Sequence, residues 1–312
     1  MRIQCSVLVV AAVTAFALVP ETVRACACGC GVFDVGTSAM LPEGVGNLVY
    51  VKVDHQDQDR NWHGSSRAPA DENEDKDLCS TFYAAGLQVM LDHRWGMELE
   101  MPYVDRRFQA AGEEEAADVV TQTWQAPGDA RLKALYTGFV PDMSYGVSLG
   151  VKLPTGDYTH APDQVDRDSQ VGTGSTDLLL GGFGRRALSD DGIWDGFAQL
   201  QVDVPVLEQD HYRPGSEFNV AVGASYNHIP LLNARVLPLA QLVATERTHD
   251  SGDNAAQPTA SGYQRLLLSP GVQIDVSAVK VYADVEFPVY QHVTGDQLVS
   301  AAIYKVVASF RF

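Results

Sequence analysis

The sequence predicts an all-β protein: a transmembrane, antiparallel, up-and-down β-barrel of about twelve strands. Three observations carry that expectation. Alternation of apolar and polar residues recurs along the chain. The connections between alternating segments are short and long by turns. The chain ends on an aromatic strand, Tyr304-Lys305-Val306-Val307-Ala308-Ser309-Phe310-Arg311-Phe312. Tyr304, Val306, Ala308, Phe310 and Phe312 share one face of it, while Lys305, Ser309 and Arg311 take the other, with Val307 the exception. Tyr304, Phe310 and Phe312 read as the closing-strand signal of an outer-membrane barrel, whose aromatic residues sit at the lipid–water interface.

The front end reads as an export signal over residues 1–25. Met1-Arg2 supplies a positive start and 7–20 an apolar run broken by Thr14, with small residues before Cys26 or Cys28. The run is too short to span a bilayer as a helix. Residues 26–46 then form a Cys-containing periplasmic segment or plug, and 47–312 the barrel. A formal charge of −18 excludes nucleic acid as a partner, because phosphate contacts need Lys and Arg clusters.

Period-two segments fall near 47–57, 80–92, 96–106, 129–140, 144–154, 174–187, 194–206, 216–228, 233–246, 263–275, 278–288 and 299–312. In 97–103, for example, Met97, Leu99, Met101 and Tyr103 oppose Glu98 and Glu100. Most of the turns between segments two and three, four and five, six and seven, eight and nine, and ten and eleven hold only two to four residues. Between them lie long polar connections at 58–79, 107–128, 155–173, 207–215, 247–262 and 289–298. Short periplasmic turns alternating with long outer loops are the arrangement of an outer-membrane barrel. A soluble sandwich has alternating strands but no need for strict loop alternation. In lipid the first and last strands must pair, because an open edge leaves backbone groups without partners.

The polar face supplies lumen candidates of both signs: Glu98, Glu100, Arg131, Lys133, Lys152, Arg185, Asp203, Lys280, Asp284, Glu286 and Lys305. In a narrow barrel such groups cross-pair and fill the bore; in a wider one they line a channel and set its selectivity.

Lys152-Leu153-Pro154-Thr155-Gly156-Asp157 ends segment five, and Gly172-Thr173-Gly174-Ser175-Thr176-Asp177 opens segment six. Phe287-Pro288-Val289-Tyr290-Gln291-His292-Val293-Thr294-Gly295-Asp296-Gln297-Leu298 bridges segments eleven and twelve. Over about 140–312 these phrases resemble a family of outer-membrane transporters linked to the meta-pathway of phenol degradation. The resemblance implies a β-barrel and uptake of small molecules; it does not carry phenol over as the solute. The first hundred residues depart from that pattern.

Cys26-Ala27-Cys28-Gly29-Cys30-Gly31 opens the mature chain. Three thiols at i, i+2 and i+4 suit a soft metal such as copper(I) or zinc, with a histidine, Cys79 or a partner as fourth ligand. Two other readings stand beside it: a structural disulfide in an oxidising periplasm, and lipidation of Cys26. A bond from the box to Cys79 requires residues 26–46 to thread the lumen.

The remaining suspects are ordinary. His55, His63, His160, His211, His249 and His292 are scattered on or near the outer connections, and the carboxylates of 57–77 and 113–118 make a solvated collar with no calcium-loop spacing. Gly-x-Ser-x-Gly occurs once, at Gly146-Val147-Ser148-Leu149-Gly150, inside a period-two segment and not at a strand-to-helix elbow, and no His-Glu-x-x-His or Cys-x-x-Cys-His occurs, so no catalytic residues are expected. Ser65, in His63-Gly64-Ser65-Ser66, is the weak stand-in for a barrel hydrolase. The expected function is an outer-membrane channel or transporter for a small solute, with soft-metal or redox chemistry linked through the Cys box. The alternative is a non-conducting sheath or anchor for a periplasmic metalloprotein. The expected partners are outer-membrane lipid, the barrel assembly machinery, a small-molecule solute and, on the sheath reading, that metalloprotein.

Overall fold

Residues whose outward side chains are apolar and whose inward ones are polar can satisfy their backbone in lipid only as a closed sheet, and the chain builds one. The computed structural model describes residues 41–42, 44–112, 119–227, 229–231 and 233–312. In chain order the wall consists of β1 (Gly46–Gly64), β2 (Asp75–Met90), β3 (Trp95–Ala111), β4 (Val119–Pro127 continued by Arg131–Tyr136), β5 (Tyr145–Lys152) and β6 (Thr176–Ala187). It continues with β7 (Trp194–Leu207), β8 (Glu217–Tyr226), β9 (Ala234–Arg247) and β10 (Tyr263–Val276). The last element, Val279–Arg311, is one run of extended backbone that doubles back on itself. Its first arm, 279–293 (β11), pairs with β10, and its second, 296–311 (β12), pairs with β1. The arms lie side by side, since Lys305 reaches Glu286 at 3.0 Å and the Arg311 N–H donates to the Ala278 carbonyl.

Every neighbour in the ring is antiparallel, and β1–β12 closes it from Leu48↔Arg311 to His63↔Asp296. Twelve passes therefore form the wall, as the alternation predicts. Two short pieces, Ser66–Arg67 and Ile229–Leu231, pair only at hairpin ends.

The wall is inside out relative to a soluble domain. Val51, Leu87, Leu99, Leu149, Leu200, Leu242 and Val281 are exposed on the outer face, while Lys52, Gln88, Glu98, Gln199, Gln241 and Glu286 are buried within. In bilayer those outer side chains meet acyl chains, and a Lys or Arg at the midplane of that face would cost about 2–4 kcal/mol. A girdle of ring pairs marks the periplasmic boundary: Trp95 with Tyr136, Tyr136 with Phe139, Trp194 with Tyr226, and Phe310 with Phe312.

Two expectations are corrected. The connections at 58–79, 107–128 and 289–298 are largely strand, because β1–β4 and the β11–β12 arms run on well above the apolar band. There both faces are polar, as in Gln58-Asp59-Arg60-Asn61, so the period-two signal disappears while the hydrogen-bond ladder continues. The segment expected at 129–140 breaks at 128–130 and ends at Tyr136. The lumen also holds apolar side chains. Leu48, Tyr50, Phe197, Leu239, Tyr282 and Val307 form one buried apolar cluster inside it, and Ala221, Val243, Leu267 and Ile303 another.

Candidate functional site: the bore

The first of those clusters draws on β1, β7, β9, β11 and β12, and in a ring of twelve β7 stands opposite β1. Side chains therefore meet across the bore near its periplasmic end and make an apolar waist. Val307 of the terminal strand is completely buried there. Below the waist the chain ahead of β1 also enters the bore: Leu41 is buried, and Arg185 of β6 donates to the Pro42 carbonyl at 2.9 Å.

The outer half is closed by a different device. Residues 155–173 fold inward instead of standing as an outer loop. Both stems of this loop meet at Asp129, which sits in the break of β4. The Asp129 carboxylate accepts from the Gly156 N–H (2.9 Å), the Thr173 N–H (2.9 Å) and the Thr173 hydroxyl (2.7 Å). Glycine is required where the stems cross, because a Cβ on Gly172 would lie 2.4 Å from the Gly156 carbonyl carbon. Lys152 bonds the Thr173 hydroxyl (2.8 Å) and pairs with Asp177 (2.5 Å) and Asp129 (3.9 Å). The phrases Lys152–Asp157 and Gly172–Asp177 thus form the neck of the folded loop.

Deeper in, Arg106 of β3 is fully buried and holds the loop's far side. It donates to the carbonyls of Ser169 (2.8 Å) and Gln170 (2.9 Å) and to the Ser80 hydroxyl (3.0 Å). Val165 packs on Leu78, Phe108, Trp124, Ala126 and Leu298, and His160 stacks on Trp124 at 4.5 Å. Neither Asp129 nor Arg106 stood out in the sequence. Their signal was faint: a charged residue where β4 loses its alternation, and an Arg106-Arg107 pair of which one must point inward.

Between loop and waist lies a chamber of 140 Å³, lined by charged residues that include Lys52, Asp54, Glu100, Arg131, Asp203 and Glu217, with Phe82 and Val104 as apolar walls. The lumen candidates cross-pair around it. Lys52 pairs with Glu100 (3.3 Å), Lys133 with Glu98 (3.6 Å), and Arg131 with Asp203 (3.9 Å). Tyr50 donates to both Glu98 (3.2 Å) and Glu100 (2.9 Å). On β11 and β12, Lys305 pairs with Glu286 (3.0 Å), while Asp284 accepts from Tyr282 (2.6 Å) and Gln241 (3.1 Å). Lys280 lies apart from these, at the periplasmic mouth with Arg235, Asp275 and Arg311.

Cys26, Cys28 and Cys30 lie outside the described residues, as do Glu113, Glu114, Glu115 and Asp118. Cys79 is free and points out of the wall, in register between Asp57 and Arg107, so it faces away from any segment in the lumen. Among the described residues no group of three or more His, Cys, Asp or Glu is placed to hold a metal ion. Ser65 does meet a histidine, with Oγ 2.9 Å from His292 Nδ1, but both are exposed and Asp296 pairs with His63 instead.

Similarity to solved structures agrees with this architecture. The chain is similar to the crystal structure of the COG4313 outer membrane channel from Pseudomonas putida F1, with a TM-score of 0.64 and 13% identity over 89% of this chain and 100% of that one. It is also similar to the beta domain of the Bordetella autotransporter Brka, with a TM-score of 0.50 and 11% identity over 86% and 100% of the two chains. At these identities the likeness shows the fold, a closed β-barrel of the outer-membrane kind. No family model matches the chain. No curated protein matches it in sequence.

Proposed function

We propose that the protein is an outer-membrane channel for a small solute, shut in this state at two levels. The carrying observation is the chamber. Charged side chains line a space inside the bore, with an inward loop on one side of it and an apolar waist further in on the other. A barrel serving only as a sheath has no use for a loop whose neck is built from an ion pair and three hydrogen bonds to one carboxylate. Apolar constrictions gate by excluding water, and charged linings set selectivity. Export with loss of residues 1–25 fits this reading, as does a kinship of 140–312 with the transporters linked to phenol degradation. Catalysis is not part of this reading. The Cys box adds a proposal of its own, copper or zinc held by Cys26, Cys28 and Cys30, which metal analysis of the purified protein with and without Cys28→Ser and Cys30→Ser tests.

The channel reading is tested by conductance in planar bilayers. Stepwise ion currents with long closed periods are expected. A barrel that stays electrically silent even after the loop neck is broken by Asp129→Ala would overturn the reading.

A further inference from the structure

Arg167 is the one cation lining the chamber that belongs to the inward loop, and its surroundings are those of a bound ligand. Its guanidinium lies over the ring of Tyr158 at 4.5 Å and over the ring of Tyr212 at 4.5 Å. Its Nη1 donates to the Gly172 carbonyl (3.4 Å) and its Nη2 to the Thr173 carbonyl (2.6 Å). Its buried Nε has no hydrogen-bond partner. Among the described residues it forms no ion pair; Asp210 and Asp129 attract it from further away. Space for it is left by Gly174, at φ +67°, where a Cβ would stand 2.4 Å from Nη2. Tyr212 is itself held, fully buried, by donation of its hydroxyl to Asp250 (2.9 Å). Two aromatic faces and two carbonyls around a planar cation, with no carboxylate to neutralise it, form a recognition site for such a cation. The chamber behind it carries seven carboxylates against five cationic side chains, Arg167 included.

We propose that Arg167 is a tethered occupant of a cation site at the chamber's outer entrance, and that small solutes bearing a guanidinium group displace it on entry. This rests on the reading of the bore as a solute route. A planar, weakly hydrated cation matches the stacked rings and the pair of carbonyls, whereas a neutral analogue of the same shape gains only the stacking. Displacement frees the loop segment that carries Arg167, so the same event that admits the solute loosens the outer closure.

The test is calorimetric titration of the detergent-solubilised full-length barrel with methylguanidinium, and with N-methylurea as neutral control. Arg167→Ala and Arg167→Gln both vacate the site, and the second keeps most of the side-chain volume. Each is expected to bind methylguanidinium about tenfold more tightly than the wild type, whose site is self-occupied. N-methylurea is expected to show no such gain, and Tyr212→Leu added to either variant is expected to abolish it. Equal affinity of wild type and both variants, or an equal gain for the neutral control, would overturn the proposal. Binding is read without conduction, so a silent barrel that still shows the gain would sink the channel reading and leave the cation site standing. Folding of each variant is checked by the heat-dependent gel migration of the closed barrel.

Discussion

Breaking the neck of the inward loop offers the most direct perturbation. Asp129→Ala removes a carboxylate that is 7% exposed and accepts three hydrogen bonds from the loop stems. Hydrogen bonds to a charged group contribute about 1.5–3 kcal/mol each and do not add fully. The substitution also strands the buried Gly156 N–H and the half-buried Thr173 N–H, and leaves Asp177 as the carboxylate paired with Lys152. A loss of about 3–5 kcal/mol in loop docking follows, and 3 kcal/mol alone shifts a docking equilibrium roughly 150-fold. The wall is untouched, because Asp129 lies in the break between the two pieces of β4. Two assays read the outcome. Trypsin is expected to cleave after Arg167 in the variant and not in the wild type, and open probability in planar bilayers is expected to rise. Asp129→Asn, which keeps the shape and part of the hydrogen bonding, is expected to fall between. If Arg167 stays protected and the currents are unchanged, the loop does not depend on Asp129 and the account of its neck is wrong.

Three further outcomes are expected. Lys305→Met leaves Asp54, Asp284 and Glu286 buried together without their shared cation, so urea unfolding should show a loss of about 3–5 kcal/mol, largely recovered on adding Glu286→Gln; independent, additive losses would argue against the coupling. At the periplasmic turns, N–H groups of Trp95 and Arg94 hold the Asp92 carboxyl below its ordinary 3.8, and the hydroxyl and N–H of Ser144 do the same for Asp142. Folded values lowered in this way add stability above pH 3.8 that disappears as pH falls through them, so Asp92→Asn with Asp142→Asn should flatten the acid limb of the unfolding midpoint against pH, and an unchanged limb would count against these caps. Because Cys79 points out of the wall above the apolar band, a membrane-impermeant maleimide added to intact cells should label it and fail to label Cys79→Ser at that site; mapping the adduct elsewhere would refute the orientation.

The fold was legible because lipid imposes a strict local rule. A strand crossing the bilayer must alternate at every step, so Met97-Glu98-Leu99-Glu100 announces both its conformation and its faces without reference to any distant residue. Turn lengths added the hairpin order, and the aromatic terminus marked the last pass. Above the bilayer the rule lapses. Gln58-Asp59-Arg60-Asn61 is strand as surely as Val49-Tyr50-Val51 is, yet water accepts polar groups on either face and the pattern carries no instruction.

The closures inside the bore depended on tertiary structure alone. Leu48, Phe197 and Val307 meet only because the sheet closes, and each looks like a flaw in its own strand's alternation. Asp129 joins two stems that flank a whole loop, and Arg167 finds Tyr212 from a different connection. Local sequence encodes which face a side chain takes, because that depends on period two. It does not encode which side chains face each other across a cylinder, because that depends on strand number, register and the path of a loop that turns inward.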